Sequence, residues 1–276
     1  MSTIRQVSEP RHAPDGTAPD GTAYDLTGPV DAPVVVLIHG LGLARGIWDD
    51  HMAAFAGYRV LRYDLYGHGD SAPPPATASL SVYAAQIAGL LDTIGVVRAH
   101  IVGFSIGGMI NRRFALEYPD RVVSLVILNS PHDRGEAAQA QVEARAATVR
   151  DQGMMATLPD ALIRWFTPQH RATGTGPARV TAWRAQVDAE SYAQAAWVLA
   201  HGVRELIAPD PAVKAPTLVM TCAHDTGSTP AMSHAIGAEI AGSTVQIVPR
   251  LQHLGLMENP DAFTGPICDF LHRIAP

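Results

Sequence analysis

Cysteine, lysine and long apolar stretches are all scarce in this sequence, and each scarcity removes a class of protein. Cys222 and Cys268 are the only cysteines and lack metal-ligand spacing. They read as small buried hydrophobes in a reducing compartment, so neither a disulfide framework nor a metal site is expected. The longest obvious apolar run, Val34 to Ile38, is far too short to cross a bilayer. Residues 1–10 contain no apolar h-region, so no secretory signal is read there and a soluble cytoplasmic protein is expected. Lys214 is the single lysine, and the remaining 19 of the 20 basic residues are arginine. The net charge of −6 is modest and gives no reason to expect nucleic acid or a membrane as a partner.

What is present suits a globular protein: 276 residues, 47% hydrophobic and 17% charged, enough to bury a full core. A tandem Pro-Asp-Gly-Thr-Ala (14–18 and 19–23) opens the chain. One Asp-Gly pair is expected to form a β-hairpin turn and the other to lengthen the loop. From residue 33 the pattern is regular. Strands are read at 34–38, 58–63, 99–104 and 122–129, with helices at 46–56, 80–94 and 106–118. Strands alternating with helices of these lengths imply a parallel sheet covered on both faces. Residues 136–202 break the rhythm with about four short helices and no strand. The sheet pattern then resumes with strands at 217–222 and 244–249 and helices at 230–241 and 260–273. The expected organisation is a core from residues 1–130 and 211–276, with residues 131–210 forming a helical cap over the strand ends, where such sheets bind ligands.

Gly103-Phe-Ser-Ile-Gly107 matches G-x-S-x-G in its confirming context, an apolar strand before and a helix after. Ser105 is therefore the candidate nucleophile, raised on a strained turn at a helix N-terminus whose dipoles favour developing negative charge. A serine needs a base, and His253 follows the last core strand, the chain-order position expected for it. Asp225, after TLVMTC, is the first choice of orienting acid, with Asp133 as the fallback. The oxyanion donors are expected to be the backbone N–H groups of Ile106 and of Leu41 in His39-Gly-Leu-Gly42. His39 is expected to shape the oxyanion loop, and with Tyr66 it is also a candidate substrate-binding residue; His68 reads as a structural turn residue, and His132 and His224 as pocket residues. Arg134, Arg164 and Arg184 are candidates to pair with a substrate carboxylate, and Trp165 and Trp197 to wall the pocket. Since arginines are mostly solvated, a place on the cap surface is the competing reading for each.

These residues resemble the α/β-hydrolase family over essentially residues 30–276. HGLG, YDLYGHGDS (63–71), GFSIGG and the late Asp225 and His253 fall in the family's order. Within it the sequence is similar to 3-oxoadipate enol-lactonases, through RVLRYDLYGHG (59–69), LLDTIGVVRAHIVGFSIGGMI (90–110), PDRVVSLVILNS (119–130) and the cap stretch VRDQGMMATLPDALIRWFTP (149–168). Those lactonases tend to have Asn-Ser where this chain has His39-Gly40, and arginine where it has Tyr66. The resemblance implies an α/β-hydrolase fold, a small ester or lactone substrate, an acyl-enzyme intermediate and no cofactor. A C–C bond hydrolase acting on a diketone uses the same triad. A non-turnover ligand receptor of this fold can keep it, whereas a dehalogenase or epoxide hydrolase would need aspartate at position 105. The sequence leaves open a homo-oligomer.

Overall fold

The structure, a computed structural model, describes residues 13–173 and 175–274, so the reading of residues 1–10 lies outside the described residues. Eight strands form one sheet in the order β1-β2-β4-β3-β5-β6-β7-β8. β1 (Gly16–Thr17) and β2 (Ala23–Thr27) are antiparallel additions at one edge, and β3 (Val34–Ile38), β4 (Arg59–Tyr63), β5 (Ala99–Phe104), β6 (Val122–Leu128), β7 (Thr217–Cys222) and β8 (Thr244–Val248) run parallel. The β1–β2 turn uses the second Asp-Gly pair, with Gly21 at φ 83°. The first does not lengthen the loop, because Gly16 is itself in β1 and the Asp15 carboxylate accepts from Leu26 N–H at 3.0 Å.

Every residue of β3, β5 and β7 is buried, as a sheet covered on both faces requires. The alternation of side chains divides β3 between two cores. Val34, Val36 and Ile38 face α1 (Leu80–Thr93) and α2 (Ile106–Glu117), while Val35 and Leu37 face the 3-10 helix Arg45–Phe55 and the C-terminal helix. Capping sets the helix starts: Ser79 Oγ accepts from Val82 N–H before α1 at 3.1 Å. The segment expected as a helix at 46–56 is a 3-10 helix rather than an α-helix.

Between β6 and β7 lie α3 (Gly135–Gln152), α4 (Leu158–Trp165), α5 (Pro168–Thr173), α6 (Thr175–Arg184) and α7 (Ala189–His201), with no strand among them. Among the described residues these are five α-helical segments where about four were expected, and α3 is long. Its alanine- and glutamine-rich sequence has high helix propensity and meets no breaker before Gly153, which takes φ 85°. α3 and α7 approach through small residues, with Ala146, Val149, Ala193, Ala196 and Ala200 in one cluster. After β7 come α8 (Pro230–Glu239), a short α9 (Gly255–Glu258) that periodicity did not reveal, and α10 (Asp261–Arg273).

Candidate active site

Ser105 sits between β5 and α2 with φ 59° and ψ −116°, a conformation that a residue with a Cβ adopts only when its surroundings enforce it. The flanking glycines explain how they do. A Cβ on Gly103 would lie 2.1 Å from the carbonyl oxygen of Gly107, and one on Gly107 would lie 2.8 Å from that of Ile38. Strand and helix therefore touch backbone to backbone, and the turn between them has no room to relax. Ser105 N–H donates to Leu128 O at 2.8 Å, which ties the turn to β6.

His253 Nε2 lies 3.2 Å from Ser105 Oγ, and its Nδ1 lies 2.7 Å from Asp225 Oδ2. The Asp225 carboxylate can only accept, so Nδ1 carries the proton and Nε2 faces the serine hydroxyl as an acceptor. All four principal contacts of Asp225 are filled. Oδ2 accepts from His253 and from Asn129 Nδ2 at 2.8 Å, and Oδ1 accepts from the backbone N–H groups of Gly227 and Ser228 at 2.9 Å each. Burial alone pushes this carboxyl up. The neighbouring His253 and the hydrogen bonds from His253, Asn129 and Ser228 outweigh it and hold the group below the usual carboxylate range. Asn129, directly after β6 with φ 46°, is a site residue that the sequence did not reveal, because an asparagine at a strand exit is an ordinary turn residue.

The inserted helices reach this arrangement directly. The Trp165 ring lies 5.9 Å from the His253 ring, with Phe104 packing at 5.0 Å. Leu254 N–H donates to Trp165 O at 2.8 Å, and Thr167 donates through both N–H and Oγ to the Glu258 carboxylate at 2.8 and 2.6 Å. The histidine loop is thus fastened to the end of α4.

A cavity of about 140 Å³ opens on Ser105, with Leu41, Arg134, Trp165, Asp225 and His253 in its wall. Ile106 is the first residue of α2, so its N–H has no intrahelical acceptor. Several expected residues lie elsewhere. His39 is fully buried: its Nδ1–H donates to Gly40 O at 2.7 Å and its Nε2 accepts from Leu65 N–H at 2.9 Å, so it braces the Gly40–Gly42 loop from behind instead of meeting substrate. Burial drives its pKa down to about 4 and leaves it neutral. Tyr66 is also buried, its hydroxyl donating to Asp20 at 2.6 Å, and Trp197 is 59% exposed, its indole against His201 instead of the cavity. His132 meets Glu239 at 2.9 Å and His224 is exposed, and neither lines the cavity. Asp133 is occupied in accepting from Gly135 N–H at 2.9 Å before α3. His68 is a turn residue, accepting from Gly42 N–H at 3.1 Å. Among the described residues no group of three His, Cys, Asp or Glu side chains is placed to hold a metal ion, and no helix is long and apolar enough to cross a membrane.

Residues 33–260 match the sequence model of the alpha/beta hydrolase fold. The chain belongs to the α/β-hydrolase family. Over 247 residues it is 30% identical to 3-oxoadipate enol-lactonase 2 of Acinetobacter baylyi, covering 88% of this chain and 90% of that protein. Among solved structures, a hydrolase from Pseudomonas aeruginosa PA01 superposes with a TM-score of 0.82 at 31% identity, covering 91% of this chain and 94% of the other. The enol-lactonase from Burkholderia xenovorans LB400 superposes with a TM-score of 0.81 at 29% identity, over 91% and 96% of the two chains. This α/β hydrolase therefore shares both its sheet half and its inserted helices with hydrolases of known structure.

Proposed function

We propose that this α/β hydrolase cleaves small carboxylic esters or lactones through Ser105, His253 and Asp225. The observation that carries the reading is the continuous contact from Asp225 through His253 to Ser105 at 2.7 and 3.2 Å on a strained strand-to-helix turn. His253 Nε2 takes the hydroxyl proton as Ser105 Oγ attacks the carbonyl carbon. Asp225 stabilises the imidazolium that forms, and the N–H groups of Leu41 and Ile106 receive the oxyanion. Return of the proton to the leaving alkoxide gives the acyl-enzyme. A water deprotonated by His253 then releases the acid and restores the serine. In a lactone the alkoxide and the acid are parts of one molecule, so ring opening gives a hydroxy acid (or its keto tautomer from an enol lactone).

Residues 131–210 act as a cap in this reading, since α4 contributes Trp165 to the wall around His253 and α3 and α7 close the cavity. The lactonase names carried by relatives at about 30% identity support ester or lactone chemistry. The test is single-turnover kinetics with an aryl ester, together with labelling of Ser105 by a fluorophosphonate. One equivalent of label and a burst of phenol are expected, and Ser105→Ala should lower kcat by about 10³-fold or more without loss of fold. Turnover retained in Ser105→Ala would overturn the assignment.

A further inference from the structure

The wall of the cavity carries four arginines: Arg134, Arg145, Arg164 and Arg184. Asp225 is the single acidic residue among the residues lining it, and its oxygens are taken up by His253, Asn129, Gly227 and Ser228. Outside the cavity Arg45, Arg62, Arg113, Arg121, Arg150, Arg179 and Arg204 each have an Asp or Glu oxygen within 4.0 Å, whereas Arg98, Arg112 and Arg171 are held by neutral acceptors. The chain has carboxylates in excess, with a net charge of −6. Four cations with no carboxylate oxygen within 4.0 Å among the described residues, gathered in one small cavity, are therefore not a shortage of anions.

The four are also held in ways that keep their charge. Arg134 donates to the carbonyl of Leu199 at 2.9 Å and to Gln139 at 3.1 Å, neutral acceptors that orient a guanidinium without cancelling it. Arg184, 2% exposed, donates from Nη2 to Thr157 at 2.6 Å and lies over the Tyr192 ring, while its Nε and Nη1 are buried with no acceptor. Two unsatisfied donors on one buried cation are costly unless a ligand supplies the acceptors. Arg145 and Arg164, half-buried, have no hydrogen-bond or ion-pair partner among the described residues. Burial lowers all four guanidinium pKa values, Arg134 to about 10; Arg145 adds to it at Arg134 and Arg164 at both Arg145 and Arg184, while Glu143, Asp160 and Tyr192 act in the opposite sense on Arg134, Arg164 and Arg184. They thus form a series, with Arg134 by α7 at one end and Arg184 at the other, where its stem packs beside Gly42 of the oxyanion loop.

A carboxylate presents two oxygens and suits a bidentate fork from one arginine with support from a second. We propose that the substrate of this hydrolase carries two carboxylates besides the scissile carbonyl, one held by Arg134 and Arg145 and the other by Arg164 and Arg184. This rests on the ester or lactone reading above. A cavity of about 140 Å³ restricts the acyl part to a short chain, since about 150 Å³ is enough for benzene. The ligand class is thus a small dianionic ester or lactone, whose hydrolysis adds a third negative charge.

The test is a matched series of methyl esters, followed by base uptake at constant pH. Methyl butyrate is neutral, monomethyl glutarate adds one carboxylate, and the 1-monomethyl ester of tricarballylate adds two on the same chain. kcat/KM is expected to rise by about tenfold at each addition. Arg145→Gln and Arg164→Gln should each reduce the dianion-to-neutral ratio by about tenfold, mainly through KM, with partial recovery in Arg164→Lys. Since neither side chain holds the fold, their thermal transitions should be no lower than that of the parent. Binding is read separately from turnover by the thermal shift of Ser105→Ala with butyrate, glutarate and tricarballylate, which should increase in that order. A monoanionic ester as good as the dianionic one would overturn the two-carboxylate assignment. Equal turnover of all three esters would overturn the anion assignment and leave the hydrolase reading standing. Absence of both Ser105 labelling and ester turnover would instead remove the hydrolase reading, and an absent tricarballylate shift would then remove the anion site as well.

Discussion

Mild acid should destabilise this protein through two histidines behind the oxyanion loop. His39 and His68 are both fully buried with rings 5.3 Å apart, and burial is the main cause that lowers their pKa values to about 4 and about 3. In the unfolded chain each titrates near 6.5. A folded pKa below the unfolded one means that the unfolded state binds more protons as pH falls, so stability present above about pH 6.5 is lost toward pH 4. At pH 5 neither buried ring is appreciably protonated. The cost is then set by the unfolded side alone, about 1.5 pH units at 1.36 kcal/mol each, or about 2 kcal/mol per histidine. The pair accounts for about 4 kcal/mol, a large share of the 5–15 kcal/mol typical of a folded domain. His39→Gln isolates one of them. A glutamine amide can replace both the donation to Gly40 O and the acceptance from Leu65 N–H, yet it does not titrate. Urea unfolding at pH 7.5, 6 and 5 should show the variant losing about 2 kcal/mol less than the parent between the first and last pH. All other groups cancel in that difference. Parallel stability–pH curves for the two proteins would refute the reasoning.

Other expectations follow from single contacts. Asn129→Ala removes one of the two donors to Asp225 Oδ2 and should lower kcat by about tenfold with little change in KM; an unchanged kcat would show that Asn129 does not position the carboxylate. Gly107→Ala places a Cβ 2.8 Å from Ile38 O and 2.9 Å from His39 O, both backbone, and should cost about 1–3 kcal/mol in urea unfolding while displacing Ser105 enough to suppress labelling. Leu37→Ala, at a fully buried position in the central sheet, should cost about 2–5 kcal/mol by the same measurement. Dialysis against a chelator should leave ester turnover intact; loss restored by a divalent cation would contradict a mechanism carried by Ser105, His253 and Asp225 alone.

The parallel sheet was legible because its central strands carry two faces' worth of apolar residues in short runs, a pattern that nothing else in the chain imitates. Val34–Ile38 and Ala99–Phe104 fall where the pattern puts them. The two edge strands at the N-terminus were not located, being two and five residues long and stabilised by the pairing itself. Ser105, His253 and Asp225 could be nominated because each stands at a strand exit in a fixed order. Asn129 could not, since its task is defined by a hydrogen bond to a residue 96 positions away. Tyr66 was misplaced, and His39 taken for a substrate contact besides a shaper of the oxyanion loop, for a related reason. A polar side chain beside a glycine-rich turn can face the ligand or brace the turn from behind, and the choice depends on packing partners that sequence spacing does not contain.

The arginines show the same limit from the other side. Read singly, Arg134, Arg164 and Arg184 compete with the ordinary solvated surface, and Arg145 offers no signal at all. What distinguishes them is a relation among four residues in one cavity wall, none of them ion-paired among the described residues, visible only once α3, α4, α6 and α7 are packed over the sheet. Repulsion among neighbouring cations opposes that packing, and the proposed dianion would relieve it. The cavity therefore gathers positive charge where a ligand's carboxylates would be complementary, on the elements that also fasten the His253 loop through Trp165 and Thr167. α4 carries both Arg164 and Trp165, so a carboxylate on Arg164 would be held next to the residue that packs on His253. Carboxylates remote from the scissile bond should therefore act mainly by lowering KM, because the arginines that hold them bind substrate without taking part in the transfer of the proton or the acyl group.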